Sequence, residues 1–146
     1  NTLYNISDFC INMSYAEGFG LGTLEAMMTG TPIIAAKTGG MTRQVVDYRD
    51  ETQNGVALEI RQKTLVGSQS VPYIYEDYSS CEDAAAGMMK LFNMSEYEKS
   101  VLSDKVLKYA TKEFSLQKTV DAWHDTMLSA AKNWKKKYKS WEQIEI

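Results

Sequence analysis

The sequence predicts an α/β fold in which a parallel sheet is covered by helices. In the first third of the chain, short apolar runs alternate with glycine-bearing turns and helical segments, which is the order of elements that builds such a sheet. Beyond Ser80 the pattern is helical to the end of the sequence. The hydrophobic content of 44% also excludes a disordered chain, because it provides enough apolar side chains for a core.

The strands and helices of the first third follow from local patterns. Short apolar runs predict strands, the first of them buried, at residues 9–13, 33–36 and 56–60. Apolar residues at spacings of three and four predict a helix at residues 21–28. A helical or turn segment at 3–7, a helix at 21–28 and a short helix at 41–47 are thus expected in this order. Gly30 is placed to end the second of these helices, and Pro32 is acceptable at a strand edge.

The remainder of the chain predicts helices after one irregular stretch. Residues 61–80 are difficult to assign, and only Tyr73–Tyr75 is predicted as a further short strand. Serines precede each of the three helices that follow, which are expected at residues 81–92, 96–113 and 116 to about 138. We therefore predict two parts, a sheet-containing part at 1–115 and a C-terminal helical segment at 116–146.

Composition and charge exclude several classes of function. A net charge of −3 argues against a nucleic-acid-binding protein. The chain has one histidine, His124, and two distant cysteines, Cys10 and Cys81, which cannot form a zinc cluster. No run approaches the roughly 20 apolar residues that cross a bilayer, and no signal-peptide pattern is present, so a cytoplasmic protein is expected. Because the sequence starts at Asn1, we expect it to be part of a longer chain.

Residues 17–25, EGFGLGTLE, form the segment most relevant to function. They lie between a predicted strand and a predicted helix, where open parallel sheets bind ligands. Alternate glycines let the backbone turn and approach a ligand, and the start of the helix offers unpaired N–H groups that suit phosphate. The dinucleotide-binding fingerprint fits poorly, because Thr23 stands in place of its third glycine.

The two glutamates of this segment are eight residues apart. On one continuous helix they would lie about 12 Å apart along the axis and about 80° apart around it. With Glu17 on the loop and Glu25 on the helix, both can line one cavity. Carboxylates accept hydrogen bonds from sugar hydroxyls, and the loop amides suit phosphate, so a nucleotide sugar matches both. The alternative is a glycine turn that serves only packing, with two solvated glutamates.

At these residues the sequence resembles the retaining glycosyltransferases of the GT-B fold, in the large group that includes family four. The hallmark of that family is two glutamates separated by seven residues, as in Glu17 and Glu25. The matching block continues through Gly30-Thr31-Pro32-Ile33-Ile34 to Gly39-Gly40. The resemblance implies a Rossmann-like, C-terminal donor-binding domain, so that residues 1–115 would be a partial nucleotide-sugar-binding domain.

The resemblance also implies roles for individual residues. In the family the first glutamate contacts the transferred sugar, a role that falls to Glu17 as the catalytic residue. The second binds the ribose hydroxyls of the donor, a role that falls to Glu25. The family works with retention and without a bound metal or other cofactor, and the leaving diphosphate assists the acceptor. The donor-binding residues implied are Gly18, Phe19, Gly20, Leu21, Gly22, Thr23, Glu25, Gly39 and Gly40.

The chain lacks two parts that the family normally places upstream of this block. These are an acceptor-binding domain and the strands that bring a basic pair to the diphosphate. The nearby cations Lys37 and Arg43 are not at the family's positions. Electrostatic stabilisation of the leaving group is a large catalytic contribution, so the chain alone is expected to be inactive. The expected partners are a nucleotide sugar, the acceptor domain, and an unknown glycan, lipid-linked or small-molecule acceptor.

The C-terminal segment is both basic and aromatic, which leaves two interpretations open. Its residues are Lys132, Trp134, Lys135, Lys136, Lys137, Tyr138, Lys139 and Trp141. One interpretation is peripheral contact with anionic membrane lipid. The other, which we favour, is a terminal helix whose aromatic stripe packs on the acceptor domain.

Two other functions stay open from sequence. The first is a non-catalytic nucleotide-binding module that has lost transferase activity. The second, less favoured, is a glycoside hydrolase that uses Glu17 and Glu25 as its pair of carboxylates. The loop suited to phosphate argues against a hydrolase.

Overall fold

The computed structural model describes residues 2–137. Six helices and five strands follow one another in this part of the chain. In chain order they are α1 (Thr2–Asn5), β1 (Cys10–Asn12), α2 (Leu21–Met27), β2 (Ile33–Ala36), α3 (Met41–Val45), β3 (Gly55–Leu58), β4 (Gln62–Ser68), β5 (Val71–Tyr78), α4 (Cys81–Phe92), α5 (Glu96–Glu113) and α6 (Leu116–Lys137). The predicted α/β class with a long terminal helix is confirmed.

The chain divides into two compact units, Asn1–Thr111 and Lys112–Ile146. The first unit contains every strand, α1 to α4 and nearly all of α5, and the second contains α6. The predicted functional division at residue 115 stays a prediction, because compactness alone does not assign a function to either part.

The sheet of the first unit is parallel, with strand order β1-β2-β3. Ile34 in β2 lies opposite Ile11 in β1 and Val56 in β3. All four residues of β2 are fully buried, as its uninterrupted apolar run predicts. The expectation of a buried first strand was wrong, since Ile11 is 37% exposed. Within the described residues β1 lies at the sheet edge, where one side has no neighbouring strand.

Helix α4 covers the sheet and fixes its strands in place. Ile34 and Leu58 pack with Ala84 and Leu91 of α4 in one buried cluster. Burying such side chains contributes about 1.5–3 kcal/mol each for the larger ones. The carboxyl ends of the strands, where the following loops start, are therefore held on a rigid base.

An antiparallel hairpin replaces the irregular stretch expected at residues 61–80. Strand β4 pairs with β5, and Leu65 lies opposite Tyr75. The prediction of a strand at Tyr73–Tyr75 was right but too short, and β4 was missed. Side chains on both faces of this hairpin are exposed, so its sequence lacks the alternation of buried and exposed residues that identifies a strand.

The predicted serine caps begin the last three helices. The Ser80 hydroxyl accepts hydrogen bonds from two backbone amides of α4. Ser95 and Glu98 form a reciprocal capping box, since each side chain accepts from the other residue's backbone N–H. The Ser115 hydroxyl accepts from the backbone N–H of Lys118. The three helix starts are thus confirmed.

Helix α6 exposes the apolar residues that its sequence places on one stripe. Val120, Trp123, Met127 and Trp134 are all more than half exposed. Of the basic and aromatic segment named above, Tyr138, Lys139 and Trp141 lie outside the described residues. In the part of the chain that the structure describes, no helix combines the length and hydropathy that crossing a membrane requires.

An ion pair between the buried Asp47 and the exposed Arg49 closes the loop after α3. Asp47 is only 6% exposed and accepts hydrogen bonds from Arg49 Nε at 2.8 Å and Nη2 at 2.6 Å. These bonds lower the pKa of Asp47 to about 2, even though burial alone would raise it. The ionised form of Asp47 is therefore part of the folded state.

Acid should selectively remove the stability that Asp47 contributes. Its folded pKa lies below the unfolded value, so the contribution is complete above about pH 4 and is lost as the pH falls towards 2. We expect a loss of about 2 kcal/mol over that window. Urea unfolding of the wild type and of Asp47→Asn from pH 7 to pH 2.5 measures it. The difference between the two proteins should shrink with acidification, and a constant difference would contradict the assignment.

Candidate functional site

The segment singled out in the sequence forms a loop and the start of a helix at the carboxyl end of β1. We call residues 13–20 the site loop; it joins β1 to α2. Gly20 ends the loop in a left-handed conformation, with φ of 86°, and its carbonyl accepts from Leu24 N at 3.1 Å. The predicted order of strand, glycine loop and helix is therefore present.

The side chains of the site loop and of the first turn of α2 differ in their exposure. Glu17 is half-buried, whereas Phe19 and Leu21 are 44% and 68% exposed. These two large apolar side chains, one at the end of the loop and one at the start of α2, face solvent and are available to contact a ligand. Thr23 is buried, so of this residue only the backbone can serve a ligand at the surface.

Gly39 and Gly40 form a second turn that packs directly on the site loop. The Gly40 amide donates to Gly18 O at 3.2 Å. A Cβ atom built on Gly39 would lie 1.6 Å from Glu17 O, and one on Gly40 would lie 2.5 Å from Phe19 O. The two turns are thus in backbone contact, which explains why glycine occupies both positions. The sequence placed Gly39 and Gly40 near the ligand, and the structure brings them against the loop that carries Glu17.

Gln44 joins α3 to the site loop, and the sequence analysis did not select it. The residue is fully buried, its Nε2 donates to Phe19 O at 2.6 Å, and its Oε1 contacts the Thr23 hydroxyl. A signal was present, because Gln44 is a polar residue on the same helix face as the apolar Met41 and Val45. Sequence alone does not show which loop such a residue contacts.

Glu25 lines a cavity of about 740 Å³ beside α1 and α2. Tyr4 Oη donates to Glu25 Oε2 at 3.4 Å, a long hydrogen bond. Burial and the nearby Glu25 carboxylate raise the pKa of the Tyr4 hydroxyl, which keeps it protonated as a donor. The other lining residues are Asn5, Leu21, Leu24, Met28, Thr29 and Leu107. The sequence analysis did not select Tyr4 either.

The predicted sharing of one cavity by the two glutamates stays a prediction. Glu25 is among the residues that line the 740 Å³ cavity, and Glu17 is not. Glu17 precedes Gly20 and Glu25 follows it in the chain. The backbone carbonyl of Glu17 faces Gly39. The structure therefore places Glu25, and not Glu17, among the residues that line this cavity.

The hairpin is anchored to both glycine-bearing turns. The Asp77 amide donates to Tyr15 O at 2.7 Å, and the Thr38 hydroxyl donates to Asp77 Oδ2 at 2.8 Å. The second carboxylate oxygen of Asp77 lies 3.2 Å from Lys63 Nζ, an ion pair without hydrogen-bond geometry. The Tyr15 and Tyr78 rings also pack, with centroids 4.3 Å apart. The site loop is thus supported from the hairpin as well as from α3.

The cations near the site loop make contacts elsewhere. Lys37 Nζ pairs with Glu59 at 2.9 Å, and the Arg43 guanidinium lies 4.5 Å from the centre of the Tyr48 ring. Among the residues described by the structure, no group of three or more histidine, cysteine or acidic side chains is placed to hold a metal ion.

Comparison with known proteins identifies the class of this loop and fold. Residues 1–68, which include the site loop, α2, the second glycine turn and β1 to β3, match the family Glycosyl transferases group 1. The match covers 68 of the 146 residues and contains both glutamates of the segment 17–25. The family resemblance stated from Glu17 and Glu25 is thereby confirmed.

The curated relatives are named as enzymes of sugar transfer or synthesis. D-inositol 3-phosphate glycosyltransferase 2 of Catenulispora acidiphila is 43% identical over 49 residues, which are 34% of this chain and 12% of that protein. Trehalose synthase of Pyrococcus horikoshii is 45% identical over 47 residues, 32% of this chain and 11% of that protein. The chain thus matches only about a tenth of the length of these relatives.

A solved structure shares the fold over most of the chain. The catalytic domain of starch synthase IV from Arabidopsis thaliana, solved with ADP and acarbose, superposes with a TM-score of 0.56 at 24% identity. The match covers 81% of this chain and 22% of that one. It confirms the expected fold, the Rossmann-like half of a GT-B protein.

Proposed function

We propose that this chain is the donor-binding part of a retaining glycosyltransferase, which transfers a sugar from a nucleotide-diphosphate sugar to an acceptor. The observation that carries the proposal is the family match over residues 1–68, since it contains the site loop with both glutamates. The acceptor, a glycan, a lipid-linked molecule or a small molecule, would be bound by an acceptor domain outside this sequence. The chain alone is then inactive.

The cavity beside α2 supports the role proposed for Glu25. A carboxylate offers acceptors to two neighbouring hydroxyls, and Glu25 lines a cavity of about 740 Å³, within the range of small-ligand sites. Leu21, Leu24 and Met28 supply apolar lining beside it. Tyr4, Asn5 and Thr29 add polar groups, and a carboxylate with such mixed surroundings suits the ribose of a nucleotide.

The site loop supports the roles proposed for its other residues. Glu17 would contact the transferred sugar, and the loop amides from Gly18 to Thr23 would face the sugar and diphosphate. Gly39 and Gly40 would act by holding the loop, because their contacts are with its backbone. No metal or cofactor is part of this proposal, in which the leaving diphosphate assists the acceptor.

Replacing Glu25 tests the proposal in the intact protein. Calorimetry with UDP-glucose, GDP-mannose and ADP-glucose should find one donor that binds, and Glu25→Ala should weaken that binding roughly 10- to 150-fold, because hydrogen bonds to a charged group contribute about 1.5–3 kcal/mol. Glu96→Ala, which removes an exposed carboxylate from α5, is the matched control and should bind as the wild type does.

Three outcomes would contradict or redirect the proposal. Absence of binding by any donor, or binding unaffected by Glu25→Ala, contradicts it. Binding without sugar transfer by the intact protein would favour a non-catalytic nucleotide-binding module. Hydrolysis of a simple glycoside that carries no nucleotide would favour a glycoside hydrolase.

A further inference from the structure

We propose that Gln44 is a positioning residue of the donor site, whose carboxamide holds the site loop in the shape that binds the donor. This inference rests on the proposed function and deepens it. Gln44 does not contact Glu17 or Glu25. It contacts the backbone of the site loop and the first turn of α2, the segments that carry these two glutamates.

The contacts of Gln44 lie on either side of Gly20, the residue at which the site loop becomes α2. Nε2 donates to the carbonyl of Phe19, one residue before Gly20, at 2.6 Å. Oε1 contacts the hydroxyl of Thr23, three residues after it, and that hydroxyl also lies 2.8 Å from Gly20 O. One side chain therefore fixes both ends of the bend from which the loop amides emerge.

Packing alone does not explain a glutamine at this position. Gln44 is fully buried, and a buried amide is costly unless both its donor and its acceptor are satisfied. An apolar side chain of similar length would fill the same space without that requirement. Both polar groups are directed at the site loop and at α2, so the interaction specifies the conformation of this segment.

The base from which Gln44 reaches the loop is itself held. Asn54 Nδ2 donates to Gln44 O at 2.8 Å, and the Tyr109 hydroxyl donates to Arg43 O at 2.5 Å. These bonds connect α3 to the turn before β3 and to α5. Tyr109→Phe therefore removes a contact of α3 without touching the site loop, which makes it a matched structural control.

The experiment compares Gln44→Met, Gln44→Glu and Tyr109→Phe in the intact protein. Donor affinity is measured with UDP-glucose, GDP-mannose and ADP-glucose, together with Tm and hydrogen exchange of the amides of residues 19–24. Gln44→Met should weaken donor binding at least tenfold and speed exchange of those amides. Tyr109→Phe should lower Tm but leave donor affinity and loop exchange unchanged.

Gln44→Glu gives a readout that a purely structural role would not produce. At pH 8 a carboxylate cannot donate to Phe19 O, so donor binding should be weak. On acidification to pH 5 a buried carboxyl protonates and can donate again, and affinity relative to wild type should recover at least fivefold. Methionine at this position should show no such recovery.

The results separate a failure of this inference from a failure of the proposed function. If the wild type binds donor and the Gln44 variants lose Tm but not affinity, the positioning role is overturned. If the wild type binds none of the three donors, the proposed function fails, and loop exchange still decides the role of Gln44. In that case, unchanged exchange at residues 19–24 in Gln44→Met would overturn the inference that Gln44 holds the site loop. Faster exchange would support that inference.

Discussion

Replacing Gly39 by alanine is expected to lower the free energy of unfolding by roughly 2–5 kcal/mol. Gly39 has a φ of 47°, and its added Cβ would lie 1.6 Å from Glu17 O. That oxygen is backbone, so the contact can be relieved only by moving one turn away from the other. The measurement is urea unfolding of the two proteins at pH 7.

Gly18→Ala is the matched control for this substitution. Gly18 lies in the site loop, next to Glu17 whose carbonyl faces Gly39, and a Cβ built on Gly18 meets no atom within 4 Å. We expect its free energy of unfolding to change by less than about 1 kcal/mol. Equal stability of the two variants would show that the backbone contact between the turns does not constrain the fold.

Replacing Glu17 by glutamine is expected to lower kcat for sugar transfer on the order of 10²–10³-fold. The substitution keeps the shape of the side chain and removes its negative charge, at the position proposed to contact the transferred sugar. Transfer of a glycosyl group develops positive charge on the sugar ring, so the loss should fall on kcat. The assay is sugar transfer by the intact protein with the donor that binds.

The affinity for the corresponding nucleoside diphosphate provides the control for Glu17→Gln. That ligand lacks the sugar, so its Kd should stay within about twofold of the wild-type value, whereas Glu25→Ala should weaken it. An unchanged kcat in Glu17→Gln would remove Glu17 from the reaction. A weakened diphosphate affinity would instead place Glu17 beside the nucleotide.

The sequence predicted the parallel sheet because its central strand has a pattern that only burial explains. Residues 33–36 are an uninterrupted apolar run after Pro32, and β2 is buried along its whole length. The serine caps were equally predictable, since a cap is a contact between near neighbours in the chain. The hairpin was only partly predicted, because β4 has one large apolar residue on each face, Leu65 and Val66, and Gln69-Ser70 is not a characteristic turn sequence.

The sequence identified those residues of the candidate site that are close together in the chain. It did not identify the residues that reach the site only through folding. The spacing of Glu17 and Glu25 identified the family, which the match over residues 1–68 confirmed. Gln44 and Tyr4 reach their partners across 25 and 21 residues of chain. Contacts at such separations depend on how the elements pack, and a single sequence does not contain that information.

The contact between the two glycine turns has a consequence for protein engineering. Gly39 and Gly40 touch the backbone of Glu17 and Phe19, and Gln44 bonds to the same segment. A chimera that imports only residues 13–25 from a relative would separate that segment from its own scaffold. Grafting residues 13–45 as one block would instead keep both turns and α3 together.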